Sequence, residues 1–149
     1  MTHFIRDAVP TDVDRIAAFN TAMALETENI QLEESTVLAG VRTVLERADL
    51  GRYYVAQSGD EVCACLLITY EWSDWRNGLI WWIQSVYVAS TARQQGIFTA
   101  LYAHVKTAAT SAGAVGLRLY VERDNSRAQR TYQALGMDET HYRLYEELF

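Results

Sequence analysis

The chain of 149 residues contains one proline, two cysteines, three histidines and a single lysine, Lys106. So little proline, in a sequence that is 50% hydrophobic, excludes a disordered or linker-rich chain. Cys63 and Cys65 stand two apart in a strand-like run and face the same way, which suits small core residues better than a disulfide or a metal site. His3, His104 and His141 are scattered without ligand or triad spacing, so no metal is expected. With no basic run, nucleic acid is not an expected partner. The longest apolar run, Gly78 to Ile83, is far too short to cross a bilayer. The first six residues, Met1 to Arg6, lack the apolar core of a signal peptide, so a cytoplasmic protein without membrane attachment is expected.

Acid is plentiful but unevenly placed. Residues 1 to 74 carry 5 arginines against 13 acids, net minus 8, and residues 75 to 149 carry 8 basic residues against 6 acids, net plus 2. An acidic half suits a cationic acceptor such as an amine, and an arginine-rich half suits a polyanion; plain solvation of exposed faces explains the same counts.

Hydrophobic periodicity orders the elements. Phe4 to Ala8 reads as a strand, and Thr11 with Asp14 marks a helix start near Pro10, its apolar side set by Ile16, Phe19, Met23 and Leu25. Ser35 opens a second helix with Leu38, Val41, Val44 and Leu45 inside. Arg52 to Gln57 and Glu61 to Trp72 form a hairpin across Ser58-Gly59-Asp60, and Leu79 to Val88 follows as a central, buried strand. A helix from Gly96 shows Ile97, Leu101, Val105, Ala108 and Ala112 on one face. Leu117 to Glu122 and His141 to Phe149 are the last strands, with a short helix between. The expected fold is α/β (α+β): one domain over residues 1 to 149, with a mixed, mainly antiparallel sheet flanked by helices on both faces. The edge of the last strand allows a homodimer or, as a separate reading, a strand-mediated interaction domain.

The segment from Ser85 to Leu101 carries the most chemistry. A strand ends, crosses a polar turn and enters a helix at Gly96, and helix-start N–H groups with the helix dipole make an anion site. One such glycine alone is ordinary punctuation. A second segment, Asn125 to Met137, adds a capped short helix that carries Tyr132 and closes at Gly136. Together the two resemble the GNAT superfamily of acyl-CoA-dependent N-acyltransferases over residues 79 to 137. In that family the turn runs Gln or Arg, two residues, Gly, one residue, then Gly or Ala. Arg93, Gln94, Gln95, Gly96 and Ile97 fit; Phe98 is bulky where the pattern has a small residue.

The resemblance implies an N-acetyltransferase that moves an acetyl group from acetyl-CoA, a cosubstrate, to a primary amine by direct attack in a ternary complex, without metal. It implies cofactor contacts along Ser85, Val86, Tyr87 and Val88, through Arg93, Gln94, Gln95, Gly96, Ile97, Phe98 and Thr99, and at Asn125. Tyr132 matches the tyrosine that faces the leaving sulfur. A phenol of pKa about 10 beside a thiol of about 8.5 acts first as a hydrogen-bond donor. Freeing an alkylamine of pKa about 10.4 from its proton at pH 7 takes about 4.6 kcal/mol, so a base or a water chain is needed. Glu26 and Glu28, at the end of the first helix where the family builds its acceptor site, are the leading carboxylates, followed by Glu71 and Asp74 around Trp72 and Trp75. The acidic half and the aromatic turn favour a small-molecule amine. A protein N-acetyltransferase and a non-catalytic CoA-binding regulatory module are the alternatives, the second kept open by Phe98 and by the lack of one obvious base.

Overall fold

The computed structural model describes residues 3–149. The elements run β1 (Phe4–Asp7), a 3-10 turn (Pro10–Asp12), α1 (Val13–Glu28), α2 (Glu34–Glu46), β2 (Arg52–Ser58), β3 (Glu61–Ser73), β4 (Gly78–Val88), a second 3-10 turn (Ser90–Ala92), α3 (Ile97–Ser111), β5 (Gly116–Arg118) and α4 (Ser126–Ala134). The strands form one sheet in the order β1-β2-β3-β4-β5, antiparallel except for the parallel β4–β5 pair. This is the mixed, mainly antiparallel sheet expected from the sequence. Among the described residues no helix is long and apolar enough to cross a membrane.

Adjacent tyrosines show how the sheet divides its two faces. Tyr53 joins a core with Val13, Ile16, Phe19 and Val41, on the side of α1 and α2. Its neighbour Tyr54 points the other way and meets the ring of His104 in α3 at 5.2 Å. The helix α3 buries Ile97, Leu101, Tyr102, Val105 and Ala109. The expected stripe therefore holds for three of its five positions. Ala112 is exposed because the helix ends there, with Gly113 in the left-handed conformation at φ 82°. Both cysteines are buried and free, and burial pushes the Cys65 thiol up to about 12.

Two terminal expectations are corrected. The strand expected over Leu117 to Glu122 is only Gly116–Arg118, and no strand is found over His141 to Phe149 among the described residues. Alternating apolar residues describe a strand only where a neighbouring strand takes up the backbone hydrogen bonds. Tyr142, Leu144, Tyr145, Leu148 and Phe149 are instead exposed.

The chain divides into a larger unit ending at Leu119 and a smaller one, Tyr120–Phe149. The smaller is organised about α4: Asn125 caps it by accepting the Ala128 amide at 3.1 Å, and the Gln129 amide group donates to the carbonyls of Glu122 and Arg123 at 3.1 and 2.8 Å.

The entry to α1 is held by Asp12 rather than by Thr11 and Asp14. Asp12 is 6% exposed, accepts the Val9 amide at 2.8 Å, and pairs in two bonds with Arg6 at 2.8 and 3.1 Å. The Arg6 bond, with the Val9 amide, outweighs burial and holds this carboxyl below its usual value of 3.8. Since the folded value lies below the unfolded one, the stabilisation is complete above the unfolded pKa and is lost as pH falls through the folded one. Asp12→Asn is expected to lower unfolding free energy by about 2 kcal/mol at neutral pH. Urea titrations of both proteins check this, and the difference shrinks in acid below pH 3.8.

Candidate active site

The central strand β4 changes partners along its length. It pairs with β3 throughout, but with β5 only at Ile80↔Gly116, Trp81↔Leu117 and Trp82↔Arg118. Beyond Trp82 the β5 side of β4 has no strand neighbour among the described residues. The register against β3 also slips there: Ile83 faces Ile68 while Ser85 faces Leu67, which leaves Gln84 as an extra, bulged residue. A bulge bends the strand and re-aims the residues beyond it, and such features gather beside active sites. The expected cofactor residues Val86, Tyr87 and Val88 lie on this open stretch.

After β4 the chain makes the turn picked out in the sequence. Gln94 and Gly96 both adopt left-handed backbone, φ 64° and 75°, one of them in a non-glycine residue. A Cβ added to Gly96 would meet nothing within 4 Å, so glycine is required there for its dihedral angle and not for lack of room. The start of α3 has no side-chain cap, and its first in-helix bond runs from the Ala100 amide to the Gly96 carbonyl at 3.0 Å. The amides of Ile97 and Thr99 precede that bond and have no carbonyl one turn back in the helix. Gln94, Gln95, Gly96 and Thr99 are exposed, as a site for an anion needs. Ile97 is buried, and the half-buried Phe98 ring lies 6.4 Å from the ring of Tyr102, one turn further along α3.

Arg93 and Glu26, read separately from the sequence as a cofactor residue and a base, meet. The guanidinium donates to the Val88 carbonyl at 3.0 Å, pairs with both Glu26 oxygens at 3.1 and 3.3 Å, and lies 5.4 Å from the centre of the Tyr87 ring. A hydrogen bond from Tyr87 is the largest influence on Glu26 and lowers its pKa; burial opposes it, and the bond and charge of Arg93 add to the lowering. Glu26 therefore stays ionised and holds a proton weakly. Burial first, and the Glu26 carboxylate next, raise the Tyr87 hydroxyl. Glu28 is the exposed last residue of α1, two positions on and turned about 200° around the helix, so the two acids do not face the same group.

In the smaller unit, Tyr132 is half-buried on α4, and burial raises its pKa, so the phenol keeps its proton and remains a donor. Asn125 is occupied as the helix cap.

Glu71, which the sequence places after Glu26 and Glu28 among the candidate carboxylates, stands in a side-chain cluster that the fold draws together. Glu71 on β3 accepts Trp82 Nε1–H at 3.0 Å through Oε1 and Arg118 Nη1–H at 2.6 Å through Oε2. Trp82 and Arg118 are the last pair before β4 and β5 part. The bulged Gln84 is bonded nearby by Thr69 Oγ1 at 3.3 Å. Only Trp82 and Glu71 were visible as an aromatic and an acid in adjacent strands; nothing local marked Arg118. No group of three or more metal-binding side chains occurs among the described residues.

The profile of the acetyltransferase (GNAT) family matches residues 16–137. A solved structure of a possible acetyltransferase from Clostridium difficile 630 is 42% identical over 100% of this chain and 99% of that one, with a TM-score of 0.92. An aminoglycoside N-acetyltransferase, AAC(6')-Iy, in complex with CoA has the same fold at 18% identity, covering 99% and 95% of the two chains with a TM-score of 0.81. So has a ribosomal-protein-alanine N-acetyltransferase from Brucella melitensis biovar Abortus 2308, at 14% identity, 99% and 100% coverage and a TM-score of 0.78. Among curated proteins none matches the chain.

Gly96→Ala is expected to destabilise the protein by about 1 kcal/mol through the left-handed dihedral alone. Denaturant unfolding checks this; a loss of several times that size would mean that the turn is also sterically crowded.

Proposed function

Because the chain belongs to the GNAT acetyltransferase family, we propose that it transfers the acetyl group of acetyl-CoA to a primary amine of a small molecule, by direct attack in a ternary complex. The observation that carries this reading is the open edge of β4 after Trp82, followed across the 3-10 turn Ser90–Ala92 by a helix start with no side-chain cap. In the proposed arrangement the amides of Gln95 to Thr99 hold the diphosphate, and the pantetheine arm lies along Val88 to Ile83 as a substitute strand. The five steps from Val88 to Ile83 span about 16 Å, room for an extended arm to run from the turn back to the point where β4 and β5 part. Binding of CoA is further supported by the AAC(6')-Iy complex. The family match spans both compact units, crossing the boundary at Leu119, so both are assigned to one catalytic domain.

The chemistry is governed by charge. As the amine nitrogen bonds to the carbonyl carbon, negative charge grows on the thioester oxygen, where backbone N–H groups of the open β4 edge stabilise it. The C–S bond then breaks. Tyr132, a phenol that keeps its proton, donates a hydrogen bond to the departing sulfur. Arg93, tied to Glu26 and Val88, fixes the start of the diphosphate turn. The small-molecule acceptor is supported by the acidic N-terminal half of the sequence and by the aminoglycoside enzyme among the structures of this fold.

Calorimetry with acetyl-CoA, followed by thiol release with a panel of amines, tests the proposal: binding and release are both expected, and absence of heat would remove it. Tyr132→Phe is expected to lower kcat by about tenfold or more while acetyl-CoA affinity holds. Unchanged turnover in that variant would take Tyr132 out of the mechanism.

A further inference from the structure

Resting on the acetyltransferase reading, we propose that Glu71, clamped by Trp82 and Arg118 where β4 and β5 part, is the catalytic carboxylate that receives the acceptor amine and takes its proton. The position comes first. An arm that enters at the turn and runs backwards along β4 ends at the last β4–β5 pair, Trp82↔Arg118, and Glu71 bonds to both members of that pair. Glu26, by contrast, is joined to Arg93 and so to the Val88 end of β4, where the arm begins.

Availability comes next. The Glu71 side chain is 40% exposed. An ionised carboxylate has about four acceptor positions, and Trp82 and Arg118 occupy two. Those bonds fix the carboxylate plane and leave acceptor capacity for an incoming N–H.

Charge decides what kind of amine is selected. A lone carboxylate attracts ammonium, raises its pKa and so opposes the deprotonation that attack requires. Paired with Arg118, Glu71 belongs to a group of zero net charge, which accepts an N–H from a neutral amine without strongly favouring the cation. The amine thus enters neutral. As its nitrogen bonds to the acetyl carbon and the C–S bond breaks, the surplus proton on nitrogen passes to Glu71 and on to water, while the sulfur leaves as thiolate and is protonated. Glu71 is the catalytic group; Trp82 and Arg118 are positioning residues.

Two substitutions have opposite signatures. In Glu71→Gln an oxygen for Trp82 is retained, but the charge and the base are lost. The KM for the amine rises, and kcat falls by about 100-fold. Arg118→Met leaves the carboxylate uncompensated, so ammonium binds better and reacts worse. The KM then falls by about fivefold, the influence of one charge about 4 Å away in a water-like medium, and kcat falls as well. The assay measures thiol release from acetyl-CoA with benzylamine, spermidine and neamine, with acetyl-CoA affinity and melting temperature recorded for each variant. The assignment stands if KM for the amine moves in opposite directions in the two variants while acetyl-CoA affinity holds. It is overturned if KM moves the same way in both, as a purely structural clamp would cause, or if Glu71→Gln turns over like the wild type. Thiol release by the wild type in those cases leaves the acetyltransferase reading intact; wild-type protein that binds acetyl-CoA but acetylates none of the three amines loses the amine reading and this assignment together.

Discussion

A strand in a sheet has two hydrogen-bonding edges, and among the described residues β4 has a strand neighbour on both only as far as Trp82. Backbone N–H and C=O groups must be paired with something, protein, water or ligand. The six residues from Ile83 to Val88 keep β3 on one side and turn an open edge to the other. The bulge at Gln84 belongs to the same constraint, since it changes the register where the parallel pairing stops. The turn and uncapped helix start lie at the far end of this edge, and Glu71 with Trp82 and Arg118 lies at its near end.

Ion pairs then fix both ends. Four of the five arginines in the acidic half of the sequence pair within that half: Arg6 with Asp12, Arg15 with Glu61, Arg47 with Asp49 and Arg52 with Asp7. Two further pairs among the described residues cross between the halves, Glu26 to Arg93 and Glu71 to Arg118. The charge asymmetry counted along the sequence thus works partly as cross-linking. In water-accessible positions such pairs add little stability, so their consequence is orientation: an arginine held against the carbonyl that ends β4, and a carboxylate held at the parting of the strands.

Much of the architecture was legible because it is local. The hairpin of β2 and β3, the apolar run of β4 and the helix after Gly96 follow from alternation, turn residues and helical spacing. The Asn125 cap is where the sequence put it. The strand over residues 141 to 149 was misread because alternation reports which faces are apolar, not whether a neighbouring strand is present. The start of α1 was misassigned for a related reason. Thr11 and Asp14 satisfy a capping spacing, but Asp12 is the residue that Arg6 in β1 can reach.

The sequence by itself determined the order of the elements from β1 to α4, the glycine-bearing turn and the family, since each is written in contiguous residues whose backbone preferences act over a few positions. Only the tertiary structure decided which charges meet. Glu26 stands 67 positions from Arg93, and Glu71 stands 47 from Arg118. No periodicity carries information over such a separation; the pairs exist because sheet register and helix packing bring those side chains within hydrogen-bonding distance.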